Sequence, residues 1–162
     1  MELWKRTLAL ASAALVAGCG ADLVVSNVQP NGAPVINADN AVEYPLRVVV
    51  TNQGTDPAGP FKVSTHYSGG AIDPARTFSV GFDVPPGAPF VYYPSTTTPL
   101  APGASVTFDG HLVFHPAEHG VNVALSARAD SCAGDEMMPP YCRVEESNEG
   151  NNASAPITLA LP

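Results

Sequence analysis

Apolar and polar positions alternate along most of the chain, and no stretch carries the spacing of an amphipathic helix. Leu23, Val25 and Val28 mark a short first strand that ends at Gln29-Pro30-Asn31-Gly32, a turn signal. Residues 44–52 (YPLRVVVTN) alternate and then condense into Val48, Val49 and Val50, which predicts a central strand of a sandwich. Further strands are expected over residues 61–68, 77–84, 90–96, 105–114, 121–129 and 155–161, with proline- and glycine-rich turns at 57–60, 85–87 and 99–103. Turn signals about ten residues apart, with no internal repeat, predict an all-β fold: a single immunoglobulin-like antiparallel β-sandwich of seven or eight strands.

Composition sharpens this picture. Pro 17 and Gly 14 together make about 19% of 162 residues, against roughly 12% in average usage, which suits many turns and argues against a helical bundle. The prolines also blunt edge strands that would otherwise pair with neighbours. Hydrophobic residues at 45% support one core, and the length fits one domain with a short appendage. Asp+Glu 15 against Lys+Arg 7 gives a net charge of -8, so the basic footprint of a nucleic-acid-binding protein is missing and no nucleic acid partner is expected.

The first eighteen residues have the layout of a secretory signal: Lys5 and Arg6 precede an apolar run over residues 7–17 that ends in small residues. The run falls short of the roughly 20 apolar residues that a spanning helix needs. Leu15-Val16-Ala17-Gly18-Cys19 resembles the lipobox of bacterial lipoprotein signals. That resemblance implies cleavage after Gly18, lipidation of Cys19, a tether over residues 19–21 and membrane attachment through acyl chains. Gly20 after the cysteine, where Asp would favour inner-membrane retention, implies the outer membrane of a bacterial cell envelope. Removal of residues 1–18 leaves 14 acids and 5 bases, a net of -9, so the acidity belongs to the exported domain. Such a surface is repelled by anionic headgroups, which leaves membrane contact to the acyl chains.

Cys132 and Cys142 remain as an even pair in an exported chain and are read as a disulfide. Its loop of 11 residues corresponds to about 2.7 kcal/mol of chain entropy. The competing reading, a metal pair, lacks the two-to-four-residue ligand spacing of zinc sites and has no histidine between the cysteines.

Four sequence blocks resemble the bacterial CARDB domain: Asp22-Leu23-Val24-Val25; Val50-Thr51-Asn52-Gln53-Gly54-Thr55 with Ala58-Gly59; Leu100-Ala101-Pro102-Gly103-Ala104-Ser105; and the closing Glu146-Ser147-Asn148-Glu149-Gly150-Asn151-Asn152. They occur in that family's order and place the domain at residues 22–162. The resemblance implies a seven-stranded immunoglobulin-like sandwich with a role in cell adhesion, usually as one module of a larger surface protein. This chain departs from that habit with a single copy, a proline- and aromatic-rich insertion around residues 70–98 and a cysteine-bearing excursion before the closing block.

Candidate chemistry concentrates late in the chain. Asp130, Asp135, Glu146, Glu149 and Asn151 crowd oxygen ligands into the last connection, with Glu136, Glu145, Asn148 and Asn152 nearby, and calcium is the cation such ligands suit. The spacing is not that of a calcium loop, and a second reading has the same Asn and Asp side chains bonding nearby backbone to fix the turn before the last strand. His111, His115 and His119 recur every fourth residue beside Glu118. On a strand, residues four apart lie about 13 Å from one another, so these histidines are not expected to share one ion. Phe78, Phe82, Phe90, Tyr92 and Tyr93 form an aromatic group. The even spacing of Phe78 and Phe82 suits one buried face, whereas Tyr92-Tyr93 breaks alternation and makes either ring a candidate for contact with a protein or glycan partner.

No nucleophile elbow, phosphate-cradling glycine loop or framed carboxylate pair is present, and nothing orders His119, Asp109 and a serine into a triad. The sequence therefore predicts a non-catalytic, lipid-anchored envelope module for binding or adhesion. The alternative is a structural subunit with calcium in its closing loop.

Overall fold

The computed structural model of the protein describes residues 20–83, 93–131 and 144–162. Nine strands are found among these residues: β1 (Leu23–Pro30), β2 (Val35–Ile36), β3 (Val42–Asn52), β4 (Ser64–Ser68), β5 (Phe78–Val80), β6 (Phe82–Asp83), β7 (Ser105–Phe114), β8 (Asn122–Arg128) and β9 (Ile157–Ala160). One sheet runs β1-β3-β7-β6, with β2 also on β3, and the other runs β5-β4-β8-β9. Every pairing between these strands is antiparallel. The protein is a two-sheet sandwich of the immunoglobulin-like kind, with slightly more strands than the turn signals indicated because two of them are only two residues long.

The strongest alternation in the sequence forms the centre of the larger sheet. Along β3 every second residue, from Val42 through Tyr44, Leu46, Val48 and Val50 to Asn52, is buried, and the residues between them are half-buried. One face of the strand therefore meets the core and the other meets solvent, as period-2 geometry requires of an antiparallel sheet covered on one side. Leu125 and Leu159 of the second sheet join them in the core, with Phe61, Phe82, Leu112 and Phe114 among the largest fully buried side chains. Phe61 meets Phe108 edge to face at 6.3 Å, and Tyr67 meets Phe114 in the same way at 5.1 Å.

Three expectations change in detail. The strand expected over residues 77–84 is divided: Phe78–Val80 pairs with β4 in one sheet and Phe82–Asp83 with β7 in the other. Phe78 and Phe82 therefore do not share one strand face. They pack from opposite sheets, Phe78 stacked on Tyr67 at 5.5 Å and Phe82 fully buried. The buried Gly81 stands between the two halves, a residue whose backbone tolerates the bend of a sheet change. The strand expected over residues 61–68 is continuous only from Ser64; before it, the chain makes an isolated bridge, Lys62 with Ser95, with the Val63 amide donating to Pro94 O at 2.9 Å. After β7, Pro116 turns the chain into a single 3-10 turn, Pro116–Glu118, the one helical element among the described residues.

Candidate functional site

One end of the sandwich gathers segments that lie far apart in sequence, and Asn52, the last residue of β3, is their junction. Its side chain is fully buried. The carboxamide oxygen accepts from the amides of Asp22 (3.2 Å) and Gly54 (3.0 Å), and the nitrogen donates to the carbonyls of Asp56 (2.8 Å) and Leu100 (2.9 Å). These four bonds fill the donors and acceptors of the amide and tie the chain entry, the turn after β3 and the segment before β7 together. Gly103, at a positive φ of 72°, closes the last of these turns, and its amide donates to Asn52 O at 2.8 Å.

The closing segment packs onto this junction and brings carboxylates together. Asp130, Glu146 and Glu149 each place an oxygen within 4.8 Å of the others. Asp130 is buried at the end of the β8 segment with a positive φ of 48°, and its Oδ2 accepts from the Val144 amide at 2.8 Å. Glu146 is half-buried; its Oε2 accepts from the Leu23 amide and its Oε1 from Asn152 Nδ2 at 2.6 Å. Burial pushes the Glu146 carboxyl up to about 7, and the nearby charges of Asp130 and Glu149 push the same way against those two hydrogen bonds. Glu149 is exposed at the rim and accepts from the Glu146 amide at 3.3 Å.

Asparagines frame the cluster. Asn151 Nδ2 donates to Asp22 Oδ1 at 2.8 Å. The amide oxygens of both Asn151 and Asn152 are buried without a hydrogen-bond partner, and Asn152 as a whole is 2% exposed. Beside the cluster lies an open cleft of about 620 Å³ whose wall includes Gly20, Asp56, Pro57, Pro60, Glu145 and Glu146.

Of the calcium candidates read from sequence, the fold brings Asp130, Glu146 and Glu149 together and bonds Asn151 to Asp22, while Asp135 lies outside the described residues. The turn-fixing reading of the closing block also has its counterpart, since Gly150 N donates to Asn148 Oδ1 at 3.1 Å. Asp22 was not anticipated; it precedes Asn151 by 129 residues, and only the topology joins them. Cys19, Cys132, Cys142 and Tyr92 lie outside the described residues, and Tyr93 is half-buried.

The histidines take separate duties. His115 Nδ1 accepts from the Ala117 amide at 3.1 Å and caps the 3-10 turn, His119 Nε2 contacts Asn40 O at 2.7 Å, and His111 lies on β7 opposite Pro45 and Asp83. Asp109, drawn with His119 in a possible triad, is instead paired with Arg47 at 2.7 Å. Glu118 turns inward: fully buried, it accepts from the Tyr67 hydroxyl at 3.0 Å and from the Ala71 amide. Burial and the Glu118 carboxylate push the Tyr67 hydroxyl up to about 12.

Two antiparallel sheets, with the four motif blocks assembled at one end, define an immunoglobulin-like module. The sequence matches the model of the CARDB family over residues 20–156, and the chain belongs to that family. Among solved structures it is similar to a CARDB domain from Pyrococcus furiosus, described as in complex with di-metal ions, with a TM-score of 0.50, 16% identity, and coverage of 88% of this chain and 90% of that one. It is also similar to a Bordetella pertussis structure described as an ApaA protein, with a TM-score of 0.46, 17% identity, and coverage of 89% and 97%. A search of the curated proteins finds no match.

Proposed function

We propose that this protein is a non-catalytic binding or adhesion module of a bacterial cell envelope, lipid-anchored through Cys19, which recognises a protein or glycan through the loops at one end of its sandwich. Membership of the CARDB family carries this reading. The open cleft beside the junction supplies a concave surface, and the outer membrane is the address that the lipobox and Gly20 suggest. The test uses the lipid-free domain, residues 20–162, immobilised on beads and offered envelope fragments from the producing bacterium. Retention that falls when Asp56 and Glu145 are replaced by Asn and Gln supports the reading; retention equal to that of uncoated beads overturns it.

A specific observation favours a second reading, a structural cation site in the closing segment. Three carboxylates within 4.8 Å of one another form an oxygen-only donor set, which suits a hard cation such as calcium, and Asn152, bonded to Glu146, keeps a buried amide oxygen without a partner. The Pyrococcus furiosus domain, described with di-metal ions, supports it by analogy of fold. Asp130, Glu146 and Glu149 would hold the ion, which would neutralise three crowded acids and fasten the closing segment to the junction. Melting in chelator and in calcium separates the readings. Saturation at 100 times Kd raises stability by about 2.7 kcal/mol, and no rise at millimolar calcium removes the cation site while leaving the adhesion reading in place.

A further inference from the structure

The chain enters the sandwich through a strap, residues 20–23, that is bonded on both sides. On one side Gly20 N donates to Thr55 Oγ1 at 3.3 Å, Thr55 N to Gly20 O at 2.9 Å, and Gln53 N to Asp22 O at 2.7 Å. On the other side Ser147 N donates to Ala21 O at 2.8 Å, Asn151 to Asp22 Oδ1, and Leu23 N to the Glu146 carboxylate. The slot has no spare room: a Cβ on Gly54 would collide with the Gly20 carbonyl and come within 2.6 Å of Asp22 N. The strap thus orients one carboxylate of the acidic cluster and braces the segment that carries another.

We propose that residues 20–23 act as a positioning element for the cation site and that cation occupancy in return locks the strap. This rests on the cation reading above. Binding that requires Glu146 in its strap-bound orientation must stabilise that orientation, because linkage between two equilibria is reciprocal. Asp22 and Asn151 extend the same coupling to the rest of the closing block.

Amide hydrogen exchange of the lipid-free domain, residues 20–162, with and without calcium, tests this directly. Calcium is expected to slow exchange at the Leu23 and Ser147 amides by about tenfold, within the usual range of coupling between sites, while His66 on the distant sheet changes far less. The reciprocal arm uses Gly54→Ala, which alters no carboxylate yet unseats the strap, and is expected to weaken calcium binding by about tenfold. Thr55→Val, a milder change that removes one strap bond, guards against a Gly54→Ala chain that fails to fold and is expected to weaken binding in the same direction. Calcium binding with strap exchange unchanged overturns the linkage and leaves the cation site intact. Absence of calcium binding to the wild-type domain overturns both.

Discussion

Glu146 is pulled two ways: burial and the neighbouring acids Asp130 and Glu149 favour its neutral form, while the bonds from Leu23 and Asn152 favour the charged one. Its carboxyl, raised from 4.5 to about 7, keeps a proton in the fold that the unfolded chain releases near pH 4.5. The native state therefore binds more protons across this window, and the contribution of Glu146 to stability falls as pH rises from about 4.5 to about 7 and stays low above it. Urea unfolding in chelator over pH 5–8 should show wild-type stability declining relative to Glu146→Gln, which carries no such titration. Calcium at pH 8 should restore the wild type and leave the variant unmoved. Glu118 is fully buried, and its two partners, Tyr67 and Ala71, are fixed by the fold. Removing the Tyr67 hydroxyl by Tyr67→Phe leaves a buried acceptor of Glu118 without its donor and is expected to cost about 2 kcal/mol in denaturant titration.

At the scale of elements, the loop between β4 and β5 is held by that same carboxylate. A Cβ on Gly70 would collide with Glu118, within 2.6 Å of its Oε1, and the carboxylate, fully buried, has no solvent side to yield toward. Gly70→Ala should destabilise by about 1–3 kcal/mol through overpacking. Gly59→Ala, where a Cβ meets nothing within 4 Å, should stay within about 0.5 kcal/mol. Thermal melts of the two variants side by side check this. The division of residues 77–84 between sheets follows a related logic. Alternation in sequence specifies which residues point inward, but a bend at Gly81 lets both Phe78 and Phe82 do so from different sheets. Periodicity cannot distinguish that outcome from one straight strand.

Across the whole molecule, the four motif blocks scattered from Asp22 to Asn152 converge on one end of the sandwich. Asn52 joins the first three by its four side-chain bonds, and Ser147, Glu146 and Asn151 fasten the fourth to Ala21, Leu23 and Asp22. That convergence gives the motif residues a physical task, closing the end where the chain enters. The proposed anchor belongs to this scale too. Intact mass of the protein from its native envelope should show an acylated Cys19 as first residue, with reduction adding two hydrogens if Cys132 and Cys142 are bridged. An unmodified first residue removes the tether from the proposal, and an unchanged mass on reduction removes the bridge.

The all-β class, the alternation of β3 at the centre of its sheet and the family were legible in the chain before any fold was known, because they depend on local periodicity and short motifs that neighbouring residues encode. The sequence also put Asp130, Asp135, Glu146, Glu149 and Asn151 forward as calcium candidates, since oxygen ligands crowd that stretch. Only the tertiary structure decided that Asp130, Glu146 and Glu149 meet, that Asp22 and Leu23 take part, that Glu118 turns inward to Tyr67, and that the histidines part company. The reason is geometric: contacts such as Val144 with Asp130 and Asn151 with Asp22 join residues 14 and 129 positions apart in sequence, and their approach is set by strand register and sheet packing, which no local spacing records.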